Sequence, residues 1–192
     1  MTHHPSHLPR YDYTDCVERQ LQAHQGPDIA ANILLAHVLQ GCVQAHPRTV
    51  RIAMQLRNLL TRPWRLRRSR IGCPVSSLLE AESGLYFAGV HPVREIVRDD
   101  AVRAEVVLGA DDRHLGFRTV IAVERKNDGA THVSMRTLVQ AYNRFGRIYM
   151  AVVDPIHRRW IAPGILDAAL AYACAVSQIN ALRGDTRLCA VR

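Results

Sequence analysis

Two pairs of side chains have the types and spacing that acid–base chemistry needs. Asp112 and His114 stand two residues apart in GADDRHLGFR, which puts them on one face if a strand runs through both. An aspartate beside an imidazole fixes its tautomer and raises its basicity, as a general base requires. Strict alternation turns His114 away from Phe117. The interpretation of His114 as a general base therefore needs a β-bulge at Gly116 that reverses the alternation of side chains. Without the bulge, His114 is a surface residue.

The second pair is Asp154 and His157, which are neighbours on a helix because they are three residues apart. They form either an acid–base pair or an ordinary salt bridge, which Asp154 could equally make with Arg158. Tyr149 lies on the apolar stripe of the same helix and offers a hydroxyl to a ligand carbonyl, or it is a core tyrosine. The candidate catalytic residues are therefore His114, Asp112, Tyr149, His157 and Asp154.

Six further residues are candidates for holding a ligand: Arg118, Phe117, Asn143, Arg144, Val153 and Trp160. Arginines pair with a ligand carboxylate or, more usually, with acidic neighbours, and Asn143 is also a good N-cap. A metal site would need convergence of Asp112, His114 and His157 that the sequence does not indicate, so no metal is expected. The chain has no nucleophile elbow, phosphate loop, dinucleotide fingerprint or HExxH motif. No cofactor is therefore expected.

The elements that must position these residues follow from the hydrophobic periodicity. The predicted strands are 11–21, 91–98, 102–109, 113–125 and 130–142, and the predicted helices are 29–45 and 47–61. In the fourth strand Phe117 and Thr119 share a face, and in the fifth Thr137 and Val139 do. A last helix is capped by Asn143, kinked by Pro155, restarted by Pro163 and ended by Gly184, and Asp28 is expected to cap the first.

Composition narrows the class of protein. One domain is expected over residues 11–183, with a disordered tail at 1–10 and a loose tail at 184–192. No apolar run approaches the roughly 20 residues of a membrane helix, and the N-terminus lacks an apolar signal-peptide core. Five cysteines without a CxxC pair favour a reducing cytoplasm. The net charge is +8, and RPWRLRRSR (62–70) leaves nucleic acid open, although one basic cluster without a recognition fold is a weak signal.

Two blocks, GADDRHLGFR and TLVQAYNRFGRIYMAVVDPIHR, resemble an uncharacterised bacterial family, domain of unknown function 2867. HPRTVRIAMQLRNLL resembles an early helix of that family, and the resemblance spans roughly Tyr11 to Leu170. The family is in turn similar to START or SRPBCC-like helix-grip proteins. The fold that this implies is α+β, with a curved antiparallel sheet wrapped around a long C-terminal helix and a cavity between them.

Helix-grip proteins bind sterols, lipids and polyketides, and some are cyclases or isomerases that use no cofactor. The resemblance implies a protein that holds a hydrophobic or aromatic small metabolite and catalyses a cofactor-free cyclisation, isomerisation or dehydration. A non-catalytic ligand carrier or partner of a redox enzyme is the first alternative, and a basic nucleic-acid- or anion-binding module is the second. The expected partner is thus a hydrophobic small-molecule ligand, with a homodimer left open, nucleic acid disfavoured and no membrane.

Overall fold

A computed structural model describes residues 10–23, 26–45, 47–48, 50–52 and 84–189, with side chains described to residue 180. The basic cluster 62–70 and most of the predicted helix 47–61 lie outside these residues. Where that helix is described, Arg48 and residues 50–52 are helical and Val50 is buried. Pro47 stands at its start as predicted, because its carbonyl accepts from the Arg51 amide at 3.1 Å.

The described residues form two antiparallel sheets and several helices, of which the last is long and interrupted. In chain order the strands and helices are β1 (Tyr13–Leu21), α1 (Ala31–Gln44), β2 (Leu85–Phe87), β3 (His91–Val93), β4 (Glu95–Asp99), β5 (Arg103–Asp111), β6 (Leu115–Arg125), β7 (Thr131–Ala141), α2 (Arg144–Ile156), a π turn (His157–Ile161) and α3 (Ala162–Cys189). Five strands pair in the order β1-β7-β6-β5-β4, and β2 pairs with β3 in a separate sheet. The α+β class expected from the sequence is therefore confirmed.

The predicted strand 91–98 divides between the two sheets, which corrects the expectation of a single strand. Pro92 has no N–H to donate, so it suits a short two-stranded pair better than a continuous ladder on β5. The β6–β7 hairpin, by contrast, lies within two residues of its predicted bounds. Its turn has Gly129 at φ 80°, and Lys126 and Ala130 pair across it, as an Asp-Gly turn requires.

One face of the five-stranded sheet carries the core, and we call it the inner face. Val17, Met135, Ile121 and Val106 lie in register across four strands, and all are buried. α1 covers this face with an apolar stripe of Leu34, Leu35, Val38 and Leu39. The predicted cap is wrong: helix α1 has Ala30 at its N-cap with no side-chain bond, because Asp28 pairs with Arg125 instead.

α3 lies beside α1 at very short range. A Cβ added to Gly41 would be 2.7 Å from the Ala169 carbonyl oxygen, so only glycine allows this approach. Arg19 of β1 reaches the same helix with two bonds to Asp167, at 2.7 and 3.1 Å. These contacts fix the C-terminal helix against both α1 and the outermost strand β1.

Helix α2 continues into α3 through the π turn. The spacing of the residues on the sheet side shows where the regular α-helix is interrupted. Gly146, Met150, Val153 and His157 follow at steps of four, three and four, and all are buried or half-buried. The next, Ala162, comes five residues after His157, and its N–H donates to the His157 carbonyl as in an i→i+5 turn. The irregular turn therefore lies just after Pro155. The predicted restart at Pro163 and the predicted end at Gly184 are both wrong, because α3 runs through both residues.

Within the described residues, Arg144–Asn180 is a helix whose length and composition alone would allow it to cross a membrane. This corrects the expectation that no segment approaches that length. However, 39% of its apolar window is buried in the protein, as in the core helix of a soluble protein. The segment is thus part of a sheet-and-helix domain.

Two histidines lie on the helix side of the core. His37 Nδ1 is 3.0 Å from Ser177 Oγ, and that hydroxyl donates to the Ala173 carbonyl at 2.8 Å, so the imidazole is the donor between them. Burial lowers the pKa of His37. Burial also lowers the pKa of His91, against a smaller opposing effect of the Ala36 backbone. Both rings are therefore neutral in the folded protein at pH 7.

We expect acid to destabilise the fold through these two rings. In the unfolded chain both protonate near pH 6.5, whereas the folded state holds their pKa lower. The unfolded state binds more protons in that interval, so the free energy of unfolding falls as pH drops below about 6.5. Urea unfolding between about pH 7.5 and 5.5 should show this slope, and H91Q should make it shallower. Equal slopes in the two proteins would contradict the assignment.

Candidate functional site

A row of polar side chains crosses the inner face of the sheet. Asp15 of β1 faces Thr137 of β7, which in turn faces Thr119 of β6. The side chain of Asp15 is 6% exposed, and both threonines are buried. This polar row lies between the core row described above and a second row formed by Tyr13, Val139 and Phe117. A buried carboxylate on the core side of a sheet needs a partner that offsets its desolvation.

His157 of the π turn is that partner. Its Nδ1 lies 2.9 Å from Asp15 Oδ2, and its side chain is 20% exposed. The hydrogen bond at Nδ1 leaves Nε2 as the nitrogen that can take or give a proton. Asp15 Oδ1 and Thr137 Oγ1 are both enclosed and have no hydrogen-bond partner. The site thus combines an oriented imidazole with two buried oxygen atoms whose bonding capacity is unused.

Asp15 is a site residue that sequence reasoning missed. A signal for it was present, because alternation in β1 puts Tyr13, Asp15 and Val17 on one face, and Val17 belongs to the core. A carboxylate on a core-facing position is rare enough to single out. Thr119 and Thr137, in contrast, were placed on the correct faces by the alternation of β6 and β7.

Of the two alternatives predicted for Asp154, the pair with His157 does not form and the ion pair with Arg158 does. Asp154 instead accepts from Arg158 Nε at 2.7 Å, which raises the pKa of the arginine, while His157 turns to Asp15. The i,i+4 spacing of Asp154 and Arg158 explains their ion pair. His157 lies at the start of the π turn, on the sheet side of the helix.

Asp112 and His114 do not lie on a strand, which corrects the interpretation of GADDRHLGFR. β5 ends at Asp111 and β6 begins at Leu115, so both residues belong to the turn between them. The Asn143 side-chain amide donates to His114 Nδ1 at 2.8 Å, and the ring of Phe145 packs edge-on at 4.9 Å. These contacts join the turn to the start of α2.

Asn143 is the N-cap that the sequence predicts. Its side-chain oxygen accepts from the Gly146 amide at 2.9 Å while its NH₂ group binds His114. Gly146 lies directly on the turn, since a Cβ there would be 2.4 Å from the His114 carbonyl oxygen. Tyr13 of β1 makes a third contact with the start of α2, because its hydroxyl donates to the Arg147 carbonyl at 3.2 Å.

Arg118 lies on the outer face of the sheet, away from α1. No bulge occurs at Gly116, which pairs regularly with Gln140. The alternation of inward- and outward-facing side chains therefore continues unchanged along β6. The Arg118 side chain is 3% exposed and makes a bidentate pair with Asp111, at 2.8 and 3.0 Å. Burial acts to raise the pKa of Asp111, but Arg118 and Arg94 together lower it. Arg118 is therefore on the face opposite the inner-face site, and of its two predicted kinds of partner the structure shows the acidic neighbour.

The remaining candidate residues lie on the sheet side of the C-terminal helix, on its outward side, and on strand β6. Tyr149 and Val153 are half-buried on the sheet side, with Tyr149 stacked on Phe145 at 6.5 Å, and Phe117 is half-buried on β6. Arg144 is exposed, and Trp160 is 63% exposed. The expectation that Trp160 lines the site is wrong because the π turn, with more residues per turn than an α-helix, rotates it outward.

No group of three or more His, Cys, Asp or Glu side chains with metal-site geometry occurs among the residues that the structure describes. The site is instead a histidine–carboxylate pair with neighbouring hydroxyl and aromatic groups. The site belongs to an α+β domain, and the sheet-and-helix architecture of this domain fits a ligand-binding module.

The model of one family, described as a protein of unknown function (DUF2867), matches residues 7–164. The chain therefore belongs to that family, and both sequence blocks that carried the resemblance fall within the match. No functionally curated protein matches the chain.

The contact between Gly146 and the 112–114 turn gives a test of how α2 is held. G146A should destabilise the protein by about 2 kcal/mol, because the methyl group must push the turn or the helix aside. G164A is the matched control, since a Cβ at Gly164 would meet only Val50 Cγ2 at an ordinary 3.6 Å. That variant should be neutral or stabilising by up to about 1 kcal/mol. Chemical denaturation of both variants compares them, and an unchanged G146A would refute the tight docking.

Proposed function

We propose that the protein binds a hydrophobic or aromatic small metabolite between the inner face of the sheet and the α2–π segment. There, His157 and Asp15 serve as an acid–base pair for a cofactor-free cyclisation, isomerisation or dehydration. The observation that carries the proposal is the 2.9 Å contact of His157 Nδ1 with a carboxylate whose side chain is 6% exposed. This residue pair replaces Asp112–His114 and Asp154–His157 as the proposed reacting groups.

The proposed chemistry follows from the hydrogen-bond donor and acceptor roles of His157 and Asp15. Asp15 holds the imidazole with Nδ1 protonated, so that Nε2 can accept a proton from an acidic C–H or O–H of the substrate. The carboxylate then stabilises the imidazolium, and the same Nε2 returns the proton to another substrate atom. Such a cycle needs no redox partner or added group. The unpaired Thr137 hydroxyl is placed to orient a substrate oxygen beside Asp15.

The proposed ligand class rests on the groups that flank the pair. Tyr13, Val139 and Phe117 form the adjacent row of the sheet, and Tyr149 and Val153 are half-buried on the helix side. Such surroundings suit a mostly apolar molecule with one or two polar groups. The π turn that presents His157 is a feature found frequently at functional sites.

We also propose the finer fold assignment, a START/SRPBCC-like helix-grip domain acting in the cytoplasm. Its support is the element order, in which β1 and α1 come before the run of strands β2 to β7 and one long helix follows them. α1 packs on the inner face, and α3 packs on α1. The assignment implies a cavity beneath the helix, where the His157–Asp15 pair would meet the ligand.

A non-catalytic carrier is the alternative that one observation favours. A buried histidine–carboxylate contact between β1 and the C-terminal helix also suits a purely structural tie between elements 142 residues apart in the chain. The nucleic-acid alternative depended on Arg62–Arg70, which lies outside the described residues, and no contact described here favours it.

The experiment begins with the ligand. Native mass spectrometry of the purified full chain should show a co-purifying small molecule, and liquid chromatography with mass spectrometry should follow its conversion. H157N then removes the imidazole while its amide can still donate to Asp15. We expect it to reduce turnover about 100-fold or more while binding stays within about threefold.

H132Q is the control, because His132 lies on the outer face of β7 away from the site. Turnover in H157N equal to that of wild type would exclude the acid–base pair. Binding without turnover in wild type would favour the carrier. Absence of any bound small molecule would contradict the ligand-binding proposal itself.

A further inference from the structure

The side of α2 and the π turn that faces away from the sheet carries an apolar stripe that nothing in the described structure covers. Ile148, Val152, Ile156 and Trp160 follow at steps of four, and they are 68%, 62%, 40% and 63% exposed. Side chains four apart on a helix are neighbours, so the four make one continuous surface. Single exposed apolar residues are ordinary, but an aligned row of four large ones indicates a binding surface.

Basic residues bracket this stripe. Arg144 and Arg147 precede its first member, Arg159 stands beside its last, and all three are exposed. Asp154, the sole acidic residue between Arg144 and Trp160, is engaged with Arg158. The outward side of the segment is therefore apolar along its middle and cationic at both ends.

This charge pattern decides between the occupants that an apolar stripe can have. If two copies paired through it, in either direction, arginines of one copy would meet arginines of the other. Like charges at an interface disfavour association. An anionic surface instead matches both ends at once, and a tryptophan with arginines beside aliphatic side chains is typical of helices that lie in the headgroup layer.

We propose that the stripe docks the protein on the surface of a bilayer that contains anionic lipid. The helix lies in the plane of the membrane, with Ile148, Val152 and Ile156 in the acyl boundary and Trp160 at headgroup level. The sheet-facing side of the helix stays packed in the protein, so the segment does not cross the bilayer. This inference departs from the sequence-based expectation of no membrane partner, and it does not depend on the proposed acid–base function.

Co-sedimentation of the full chain with vesicles tests the proposal. We expect binding to vesicles of phosphatidylcholine with about 30% phosphatidylglycerol, and weak binding to phosphatidylcholine alone. Binding should fall as salt rises, because the Debye length shortens to about 3 Å at 1 M salt. In a W64F variant Trp160 is the one remaining tryptophan, and its emission should shift to shorter wavelength on the anionic vesicles.

Two sets of substitutions separate the apolar and ionic contributions. I148S/V152S/I156S should reduce partitioning at least about tenfold, since three aliphatic side chains lose their burial in the membrane. R144Q, R147Q and R159Q should each reduce it about fivefold at low salt. The matched control is I33S/V90S/V102S, which changes three comparably exposed apolar residues elsewhere on the surface and should bind as wild type.

Several outcomes would overturn the proposal. They are equal binding to neutral and anionic vesicles, equal loss of binding in the stripe and control variants, and no vesicle binding at all. A dimer seen by light scattering that dissociates only in the stripe variant, without vesicle binding, would identify a second copy as the occupant. Circular dichroism of each variant establishes that its fold is retained, so that a loss of binding is attributable to the surface.

Discussion

The contact between Asp15 and His157 ties the first strand of the sheet to the C-terminal helix through a buried carboxylate. Asp15 lies on the first strand and His157 on the last helix, 142 residues apart, and the carboxylate is enclosed by both. A buried carboxylate is tolerated only with a partner, so the helix must present a donor at this position. That requirement fixes where α2 crosses the sheet. Asn143, Gly146 and Tyr13 then hold the start of the same helix.

The sequence predicts the sheet far better than the site, for a physical reason. Alternation along β6 and β7, the Asp-Gly turn and the Asn143 cap are local patterns, and each one lies close to where it was expected. The partner of His157 is set by strand pairing between β1 and β7 and by the path of the helix. Neither is visible in a window of ten or fifteen residues. Asp15 therefore went unrecognised although its own strand was predicted.

Two errors in the predicted site share one cause, which is a wrong assumption about phase. An inner-face position of Arg118 needs a bulge at Gly116 that does not occur, and Trp160 was expected in line with Tyr149 and Val153 by α-helical spacing that the π turn breaks. The step of five from His157 to Ala162 breaks the spacing of four, three and four that places Gly146, Met150, Val153 and His157 on the sheet side. Sequence periodicity locates faces within an element, but it cannot follow them across an irregular turn.

The two sides of the C-terminal helix have different tasks. Toward the sheet it offers Tyr149, Val153 and His157, where polar and apolar groups of the strands meet it. Away from the sheet it offers large apolar side chains, whose exposure to water is unfavourable for a free monomer. One helix thus joins the proposed site to a surface of a quite different character, about one helix diameter, roughly 10 Å, apart.

The π turn has a consequence for chain length in related sequences. It accommodates one residue more than an α-helical turn, so the residues before and after it both face the sheet only because the extra one is absorbed there. A chain that lacked one residue between His157 and Ile161 would form a continuous α-helix with the same sheet-facing ends. Such a deletion would leave the core packing intact while changing which way the indole of Trp160 points. Loss of a single codon here would thus preserve the sheet-facing packing of the helix, whereas the same loss in β6 would invert a whole strand.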